Sequence, residues 1–425
     1  MPNNAFALRG NVLYATDSKT LVSAEKSYLI CDGEKVAGVF ASLPKAFADV
    51  PVTDYGDKLI IPGLCDLHVH APQYAFRALG MDLELLPWLN AYTFPAESKY
   101  AEPAYAEQAY DTFVKDLHKS ATTRASIFAT IHRSSTLRLM ELLEKTGIQA
   151  FVGKVNMDRN SPEYLCETTE ESAAETELWL ADCAGKFKNI KPIITPRFVP
   201  SCTDELMEKL SAIQKKHNLP LQSHLSENAS EIEWVHELSP KSTCYGDAYA
   251  RFGLFGGDCR TVMAHCVHPS DIEFALMKKN DVMVAHCPQS NMNLSSGVAP
   301  VRRYLSEGVR VALGSDVAGG ADLSIFKAMA DAIRASKLRW ALYDKAFAPI
   351  TVTEAFFMGT KGGGAFWGKV GSFEEGYDFD AVVINDENLN TNPDYATLQQ
   401  RLERVIYLSD DRNVESKYIC GQKAL

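Results

Sequence analysis

The sequence predicts an α/β protein built on a (β/α)₈, TIM-like barrel, with β-rich segments at both ends of the chain. Strand-like and helix-like segments alternate through residues 61–369, and eight strand-like segments can be counted there. Alternation of this kind indicates right-handed βαβ units and a parallel sheet, and eight repeats close such a sheet into a barrel. Polar residues at the ends of the predicted strands place a site at one end of the barrel.

The middle of the chain supplies the predicted barrel elements. The strands span 64–70, 125–131, 149–153, 193–198, 219–224, 261–265, 282–286 and 310–316. Helix-like segments lie between them or follow the last, at 106–120, 135–145, 175–187, 204–217, 270–279, 301–307, 322–341 and 353–357. An open doubly wound sheet is the alternative, but no Gly-x-Gly-x-x-Gly turn follows the first strand.

The two ends of the chain, 1–60 and 370–425, are rich in strand-like runs. These runs span 6–14, 27–31 and 35–40 at one end, and 371–373, 379–384, 404–408 and 414–420 at the other. Asp32-Gly33 is typical of a hairpin turn, and the one helix signal of the first segment lies near 43–48. These patterns leave open whether the two ends meet in one domain.

Composition indicates a protein of enzyme size and disfavours some classes of partner. The 425 residues are 46% hydrophobic and carry a formal net charge of −11, which disfavours a general binder of nucleic acid or of acidic membranes. The ten cysteines are scattered without a Cys-x-x-Cys pair, as expected for reduced thiols in a cytosolic protein. We see no signal peptide and no apolar run of about 18 residues, so we expect a cytoplasmic protein.

The first predicted strand ends in two histidines, His68 and His70, within the run IPGLCDLHVHAPQY. Residues two apart in a strand point to the same face, so the two imidazoles would lie side by side. Such a pair is a natural start for a metal site.

Later strand ends carry polar residues that would be unusual as packing alone. They are Arg197 and Phe198 on the fourth strand, His224 and then Glu227 on the fifth, His265 on the sixth, His286 on the seventh, and Ser315 and Asp316 on the eighth. A lone histidine at a strand end is more often a hydrogen-bonded structural residue, but this accumulation favours a site. His286 fits a structural role better than a catalytic one, and Arg197 fits a site role and a salt bridge about equally well.

Three imidazoles and one carboxylate suit Zn²⁺ that holds a water in an open position and lowers its pKa to about 7. Glu227, three residues past His224, can stand beside the metal and carry the proton of that water to the substrate. Two other zinc signatures are absent from the sequence, the His-Glu-x-x-His protease motif and the His-x-Glu…Pro-Cys-x-x-Cys motif.

At these residues the chain resembles the amidohydrolase superfamily. The matching segments are PGLCDLHVH, SHLSEN around His224, AHC around His265, AHCPQSN around His286 and LGSDVAG around Asp316. The resemblance runs nearly end to end, and it implies that the terminal β segments combine into one small β-sandwich domain. Three further segments, HAPQYAFRALG, LPWLNAYTFPAE and TPRFVPSC, resemble the branch of the superfamily that deaminates guanine.

The resemblance implies one zinc ion, bound by His68, His70, His224 and Asp316. No lysine on the fourth strand could be carbamylated to bridge a second metal, which favours the mononuclear, deaminating branch. For His265 the resemblance favours a catalytic role over a role as a metal ligand. Imidazole ligands suit iron as well as zinc, so iron stays open as the alternative metal.

The activity implied is hydrolysis of guanine to xanthine and ammonia. Asp316 would help to deprotonate the metal-held water, which attacks C2, and Glu227 would move the proton to a ring nitrogen. Gln73 and Arg197 would read the polar edge of the base, while Phe198 and Trp88 would pack on its ring. The resemblance also implies a homodimer, with no nucleic-acid or membrane partner.

Two other functions remain open from the sequence. One is a related aminohydrolase that acts on a pterin, a triazine, cytosine or a thioadenosine-type nucleoside. The other is a non-catalytic scaffold of the dihydropyrimidinase-like kind, although such scaffolds usually lack metal ligands that this chain keeps. Closure of the 82–96 loop over the site is also left open.

Overall fold

The computed structural model describes residues 5–390, 392, 394 and 396–425. The strands are β1 (Phe6–Ala15), β2 (Leu21–Asp32), β3 (Lys35–Phe40), β4 (Val52–Pro62), β5 (Leu64–His70), β6 (Thr122–Phe128), β7 (Gln149–Gly153), β8 (Val155–Asn156), β9 (Ile190–Pro192), β10 (Thr195–Pro196), β11 (Leu221–Leu225), β12 (Thr261–His265), β13 (Met283–His286), β14 (Val311–Leu313), β15 (Ala381–Ile384), β16 (Val414–Ile419) and β17 (Gln422–Lys423).

Helices follow most of the central strands, so the fold is mixed α/β as expected. They are α1 (Leu85–Trp88), α2 (Phe94–Glu97), α3 (Pro103–Lys119), α4 (Arg133–Glu144), α5 (Thr169–Cys183), α6 (Asp204–His217), α7 (Ala229–Leu238), α8 (Tyr245–Ala250), α9 (Asp271–Lys279), α10 (Pro288–Asn293), α11 (Val301–Glu307), α12 (Ile325–Leu342), α13 (Val352–Phe357) and α14 (Leu398–Leu408). Short π-helical turns span Leu89–Thr93 and Met358–Gly362. Among the described residues, no helix is both long and apolar enough to cross a membrane.

The central strands form two parallel four-stranded sheets, in the orders β5-β6-β7-β9 and β11-β12-β13-β14. Backbone hydrogen bonds also join the two sheets to each other. At one seam the Asp316 N–H donates to the His68 carbonyl over 2.8 Å, and at the other the Gln222 N–H donates to the Ile194 carbonyl over 3.0 Å. All seven residues of β5 are buried, as expected for a parallel strand covered on both faces.

Three of the eight predicted central strands have the predicted bounds, namely β5, β7 and β12. The fourth predicted strand, 193–198, is wrong in its bounds: only the two residues of β10 lie within it, and β9 ends just before it at Pro192. Pro192 and Pro196 explain the break between β9 and β10, because proline has no N–H to donate to a neighbouring strand.

The two ends of the chain meet in one seven-stranded mixed sheet, ordered β17-β16-β15-β4-β1-β2-β3. The pairing that joins them is antiparallel, with β4 residues 59–62 opposite the four residues of β15. Apolar side chains from both ends pack into one cluster there, including Leu8, Val12, Ile60, Phe379 and Val383. The two terminal segments, whose contact the sequence left open, are therefore in contact.

The prediction of a strand at 404–408 was wrong, because these residues end α14. Thr397 caps that helix together with Gln400, and four buried apolar residues recur at helical spacing, Leu398, Leu402, Val405 and Ile406. Residues 371–373 are also outside any strand, and the helix expected near 43–48 is one short 3₁₀ turn at Lys45–Phe47. Helices α7 and α8, between the fifth and sixth central strands, were not predicted.

Candidate active site

Five residues at or just after the ends of four central strands converge at the carboxyl ends of the two parallel sheets. His70 Nε2 lies 3.2 Å from His224 Nε2, and His68 Nε2 lies 3.1 Å from Asp316 Oδ1. His265 Nε2 is 3.7 Å from the other Asp316 oxygen. His68, His70, His265 and Asp316 are buried, and His224 is partly buried. The sequence therefore placed these residues together correctly, although they span almost 250 positions of the chain.

The donor atoms of this cluster fit a metal ion. The buried His68 Nε2 makes no well-directed hydrogen bond among the described residues, although Asp316 Oδ1 lies 3.1 Å away. His68, His70 and Asp316 form one group whose ligand atoms all lie within 4.8 Å of one another, and His68, His224 and His265 form a second. Imidazole nitrogen with carboxylate oxygen is a donor set that zinc and related metals bind well.

Hydrogen bonds behind the cluster set the histidine tautomers. His224 Nδ1 donates to the Arg197 carbonyl over 2.6 Å, because a carbonyl oxygen can only accept. The lone pair of its Nε2 is then directed to the cluster, as in metal sites whose ligands are oriented from behind. His265 Nδ1 has Asn291 Oδ1 at 2.9 Å, which favours the same tautomer for His265.

The electrostatics keep His68, His70 and His224 neutral and the aspartate ionised, whereas the pKa of His265 is raised because Glu227 and Asp316 outweigh the effect of its burial. Burial lowers the pKa of His68, and it lowers those of His70 and His224 well below the ordinary value. Burial alone would raise the pKa of Asp316, but the neighbouring His68 and His265 lower it more, so the net shift is downward. Neutral imidazole and ionised carboxylate are the forms that ligate a metal.

Glu227 lies beside this cluster with each carboxyl oxygen in contact with a polar partner. Ser296 Oγ donates to Oε1 over 3.1 Å, and Oε2 lies 3.3 Å from His265 Nε2. Burial raises the pKa of Glu227 to about 7. Its backbone N–H donates to Glu231 Oε2, which holds the turn between β11 and α7. A carboxyl with such a pKa can accept and release a proton near neutral pH.

A cavity with about 410 Å³ of empty space, part of it open to solvent, lies against the cluster. Its lining includes most of the predicted site residues: His70, Gln73, Trp88, Arg197, Phe198, His224, Glu227, His265 and Asp316. Leu85, Leu89, Leu294, Glu231 and Gly319 complete the lining and were not predicted. His68 is not among the lining residues, since it lies deeper in the cluster.

The side of the cavity away from the histidines is built on the irregular helical segment that runs from α1 to α2. Trp88, on α1, presents its ring to the cavity while its Nε1 donates to the Leu79 carbonyl over 3.0 Å. Phe198 packs edge-on against Trp234, with ring centroids 6.3 Å apart. The 82–96 segment is thus largely helical, and three of its residues, Leu85, Trp88 and Leu89, line the cavity.

Gln73 and Arg197 meet at a carboxylate that the sequence did not single out. Gln73 Nε2 donates to Glu97 Oε1 over 2.9 Å, and Arg197 Nη1 donates to Glu97 Oε2 over 2.5 Å. Gln73 Oε1 accepts from the Ala318 N–H over 3.3 Å. Glu97 ends the run YTFPAE, and that unusual run was its only signal in the sequence.

His286 lies outside the cavity lining, and neither of its buried ring nitrogens has a hydrogen-bond partner among the described residues. Burial lowers its pKa to about 3, so it is neutral. The other histidines also lie away from the cavity, namely His118, His132, His217, His236 and His268. This placement agrees with the structural reading of His286.

The chain belongs to the amidohydrolase family, whose members match it over residues 59–423. Among its relatives is the guanine deaminase of Dictyostelium discoideum, 42% identical over 380 residues, which cover 88% of this chain and 84% of the relative. The mouse (Mus musculus) guanine deaminase is 39% identical over 432 residues, covering 98% of this chain and 92% of the relative.

A solved structure is similar over nearly the whole chain. It is the crystal structure of guanine deaminase from C. acetobutylicum with guanine bound in the active site. It is 49% identical to this chain, the TM-score is 0.96, and the match covers 99% of this chain and 100% of that one.

Proposed function

We propose that this protein is a guanine deaminase, which hydrolyses guanine to xanthine and ammonia. One observation carries the proposal: a single cavity joins a cluster suited to a metal with two side chains, Gln73 and Arg197, that can read the edge of a base. The extensive similarity to several guanine deaminases supports the choice of substrate.

The proposed cofactor is one zinc ion held by His68, His70, His224 and Asp316, with iron as the alternative. When bound, such an ion supplies a Lewis acid and a water of lowered pKa. The closeness of His68 Nε2 to Asp316 Oδ1 without a well-directed hydrogen bond, and the tautomer set at His224 by the Arg197 carbonyl, support this ligand set. His265 is assigned to catalysis first and to ligation second, because its Nε2 lies near both Glu227 and Asp316.

The proposed proton transfers follow from the carboxylates. Asp316 orients the attacking water and helps to deprotonate it, and Glu227 accepts a proton and delivers it to a ring nitrogen of guanine. A C–O bond forms at C2, the remaining proton of the water passes from the new hydroxyl to the amino group, and the C–N bond breaks as the C2 carbonyl forms, which releases ammonia. Ser296 holds the Glu227 carboxyl in place during both transfers.

Guanine would be recognised on the other side of the cavity. Gln73 and Arg197 donate hydrogen bonds to the acceptors of the base, and Phe198 and Trp88 pack on its faces. A planar base with apolar faces and a polar edge matches the apolar lining at Leu85, Leu89 and Leu294.

We further infer the finer architecture. The hydrogen bonds at both seams support one closed (β/α)₈ barrel over 61–369, with the third and fourth strands extended by β8 and β10. The shared mixed sheet supports a small β-sandwich domain made of 1–60 and 370–425. The ten free cysteines support a cytoplasmic protein.

We also propose a homodimer, on the strength of the family resemblance. Exposed apolar side chains on α12, on the residue after it and at the end of α14, namely Leu342, Tyr343 and Leu408, support an interface. Light scattering after size-exclusion chromatography measures the mass directly, and a monomer at micromolar concentration would contradict the proposal.

The test of function is the loss of guanine's ultraviolet absorption on conversion to xanthine, with and without a chelator. We expect turnover that the chelator abolishes and that added zinc restores. Ammonia release is then measured with a pterin, a triazine, cytosine and a thioadenosine-type nucleoside. Faster turnover of any of these than of guanine would assign the site to a related aminohydrolase. A zinc content below about half an ion per chain, with no turnover of any compound, would favour a scaffold.

A further inference from the structure

We propose that Glu97 is a positioning residue that sets base specificity, by holding both Gln73 and Arg197 as hydrogen-bond donors toward the cavity. Its two carboxyl oxygens are divided between them, one for each side chain. The inference rests on the proposed function, because it concerns which purine the same cavity accepts.

The carboxylate fixes the direction of the Gln73 amide. An ionised carboxylate can only accept, so the group that faces Glu97 Oε1 must be the amide NH₂. The Ala318 N–H can only donate, so the group that faces it must be the amide oxygen. The two contacts agree, and the second hydrogen of Gln73 Nε2 is then left for a ligand.

Arg197 is held in the same way. Its guanidinium and the Glu97 carboxylate form a buried pair, with side-chain exposures of 4% and 2%. Glu97 Oε2 is the one hydrogen-bond acceptor that the guanidinium has among the described residues. Since arginine has five N–H donors and no acceptor, donors remain that can face the cavity which Arg197 lines.

Glu97 acts through these neighbours, because it does not line the cavity itself. Two donors fixed by one buried carboxylate match a base edge that carries acceptors, such as the oxo group at C6 of guanine. A purine with an amino group at that position would place donor against donor and leave buried groups unpaired, which is a strong basis for rejection. The same carboxylate therefore explains a preference for an oxopurine over an aminopurine.

The test compares guanine with 2,6-diaminopurine, which has the same leaving amino group at C2 but an amino group at C6 and no N1–H. In the native enzyme we expect kcat/KM to favour guanine strongly. In Glu97→Gln the residue at 97 no longer accepts on both oxygens, so Arg197 can swing and only the Ala318 N–H still fixes the direction of the Gln73 amide. We expect the ratio of the two kcat/KM values to fall about 10- to 100-fold, with the loss for guanine mostly in KM.

A purely structural role for Glu97 would give a different result. Both substrates would then lose kcat/KM by the same factor, and an unchanged ratio would overturn the inference. Lack of any guanine turnover by the native enzyme would instead overturn the proposed function, so the two failures are distinguishable.

Two further variants guard the interpretation. Glu97→Asp keeps the charge but is one methylene shorter, and it provides the measurement if Glu97→Gln does not fold. We expect it to retain more of the discrimination than Glu97→Gln does, and a ratio equal to the native one in both variants would again overturn the inference. Glu354→Gln is the matched control, since Glu354 also binds an arginine, Arg302, whose side chain lines a different cavity. We expect that control to keep the native ratio.

Discussion

The two sides of the cavity are built in different ways. The histidines and Asp316 stand at or just after the ends of parallel strands, where the backbone hydrogen bonds of two sheets hold them. Gln73, Trp88 and Glu97 lie instead on a 3₁₀ turn and on short helices joined by a π-helical turn. One side is regular and general in its chemistry, whereas the other is irregular and particular to this chain.

Because the reacting groups and the base-binding groups lie on different sides of the cavity, reaction and recognition can be changed separately. Changes on the strand side should lower kcat with little effect on the binding of the base. Changes on the irregular side should mainly raise KM, because the reacting groups are held by other elements. Arg197 joins the sides, since its backbone carbonyl orients His224 while its side chain faces Glu97.

The largest effect is expected for Glu227→Gln, on the strand side. The amide keeps the size of the carboxyl but cannot accept and pass on a proton, so kcat should fall about 10²- to 10⁴-fold while zinc content stays native. The ultraviolet absorbance assay with guanine gives kcat, and elemental analysis gives the zinc content per chain. A near-native rate in this variant would remove Glu227 from the mechanism.

Arg197→Ala should have the next largest effect, and mainly on KM. The loss of a charged hydrogen bond to the base predicts a fall in kcat/KM of about 10- to 150-fold. Arg197→Lys restores the charge but not the planar set of guanidinium donors, and we expect kcat/KM to recover only in part. If neither variant changes the kinetics with guanine, then Arg197 serves only the structure. Thermal melts of both variants separate this from unfolding, because Ala leaves Glu97 buried without a cation.

Trp88→Phe tests the packing of the irregular side alone. Phenylalanine keeps an aromatic face but loses the hydrogen bond to the Leu79 carbonyl. We expect KM for guanine to rise about two- to ten-fold and kcat to stay within experimental error. A fall in kcat without a change in KM would show that the two sides are coupled at this residue.

The smallest effect is expected for Ser296→Ala, and it appears as a shift in pH dependence. Glu227 must be ionised to accept a proton, and its pKa of about 7 predicts that kcat/KM falls as the pH drops below neutrality. The Ser296 hydrogen bond lowers that pKa, so its removal should raise it and move the acidic limb to higher pH. At pH 8 the variant should stay within about threefold of the native enzyme. An acidic limb that does not move would mean that another group controls it.

The regular side could be predicted from sequence because its signal is local. The alternation of His68 and His70 is a strand pattern, and the later histidines and Asp316 each end an apolar run. Once the fold class orders the strand ends around one axis, these residues have to meet. The sequence could not give the distances among them, which the structure supplies.

The residues that hold the site residues in place, on both sides of the cavity, could not be predicted in the same way. Glu97, Asn291 and Ser296 act through partners 24 to 100 positions away, and no spacing rule connects them. The strand wrongly predicted at 404–408 failed for a related reason. A window of five residues contains too little of the helical repeat, which becomes clear only across the eleven residues of α14 and its cap.

The pairing of β4 with β15 has a consequence for folding during synthesis on the ribosome. All residues of β4 have been synthesised once residue 62 is added, but its partner strand begins at residue 381. One edge of β4 therefore stays unpaired through most of synthesis. Unpaired strand edges invite association between chains, and domains normally complete folding only when all their segments have emerged. Nascent chains that stop before residue 381 should therefore aggregate or engage chaperones, even though every proposed metal ligand has by then been made.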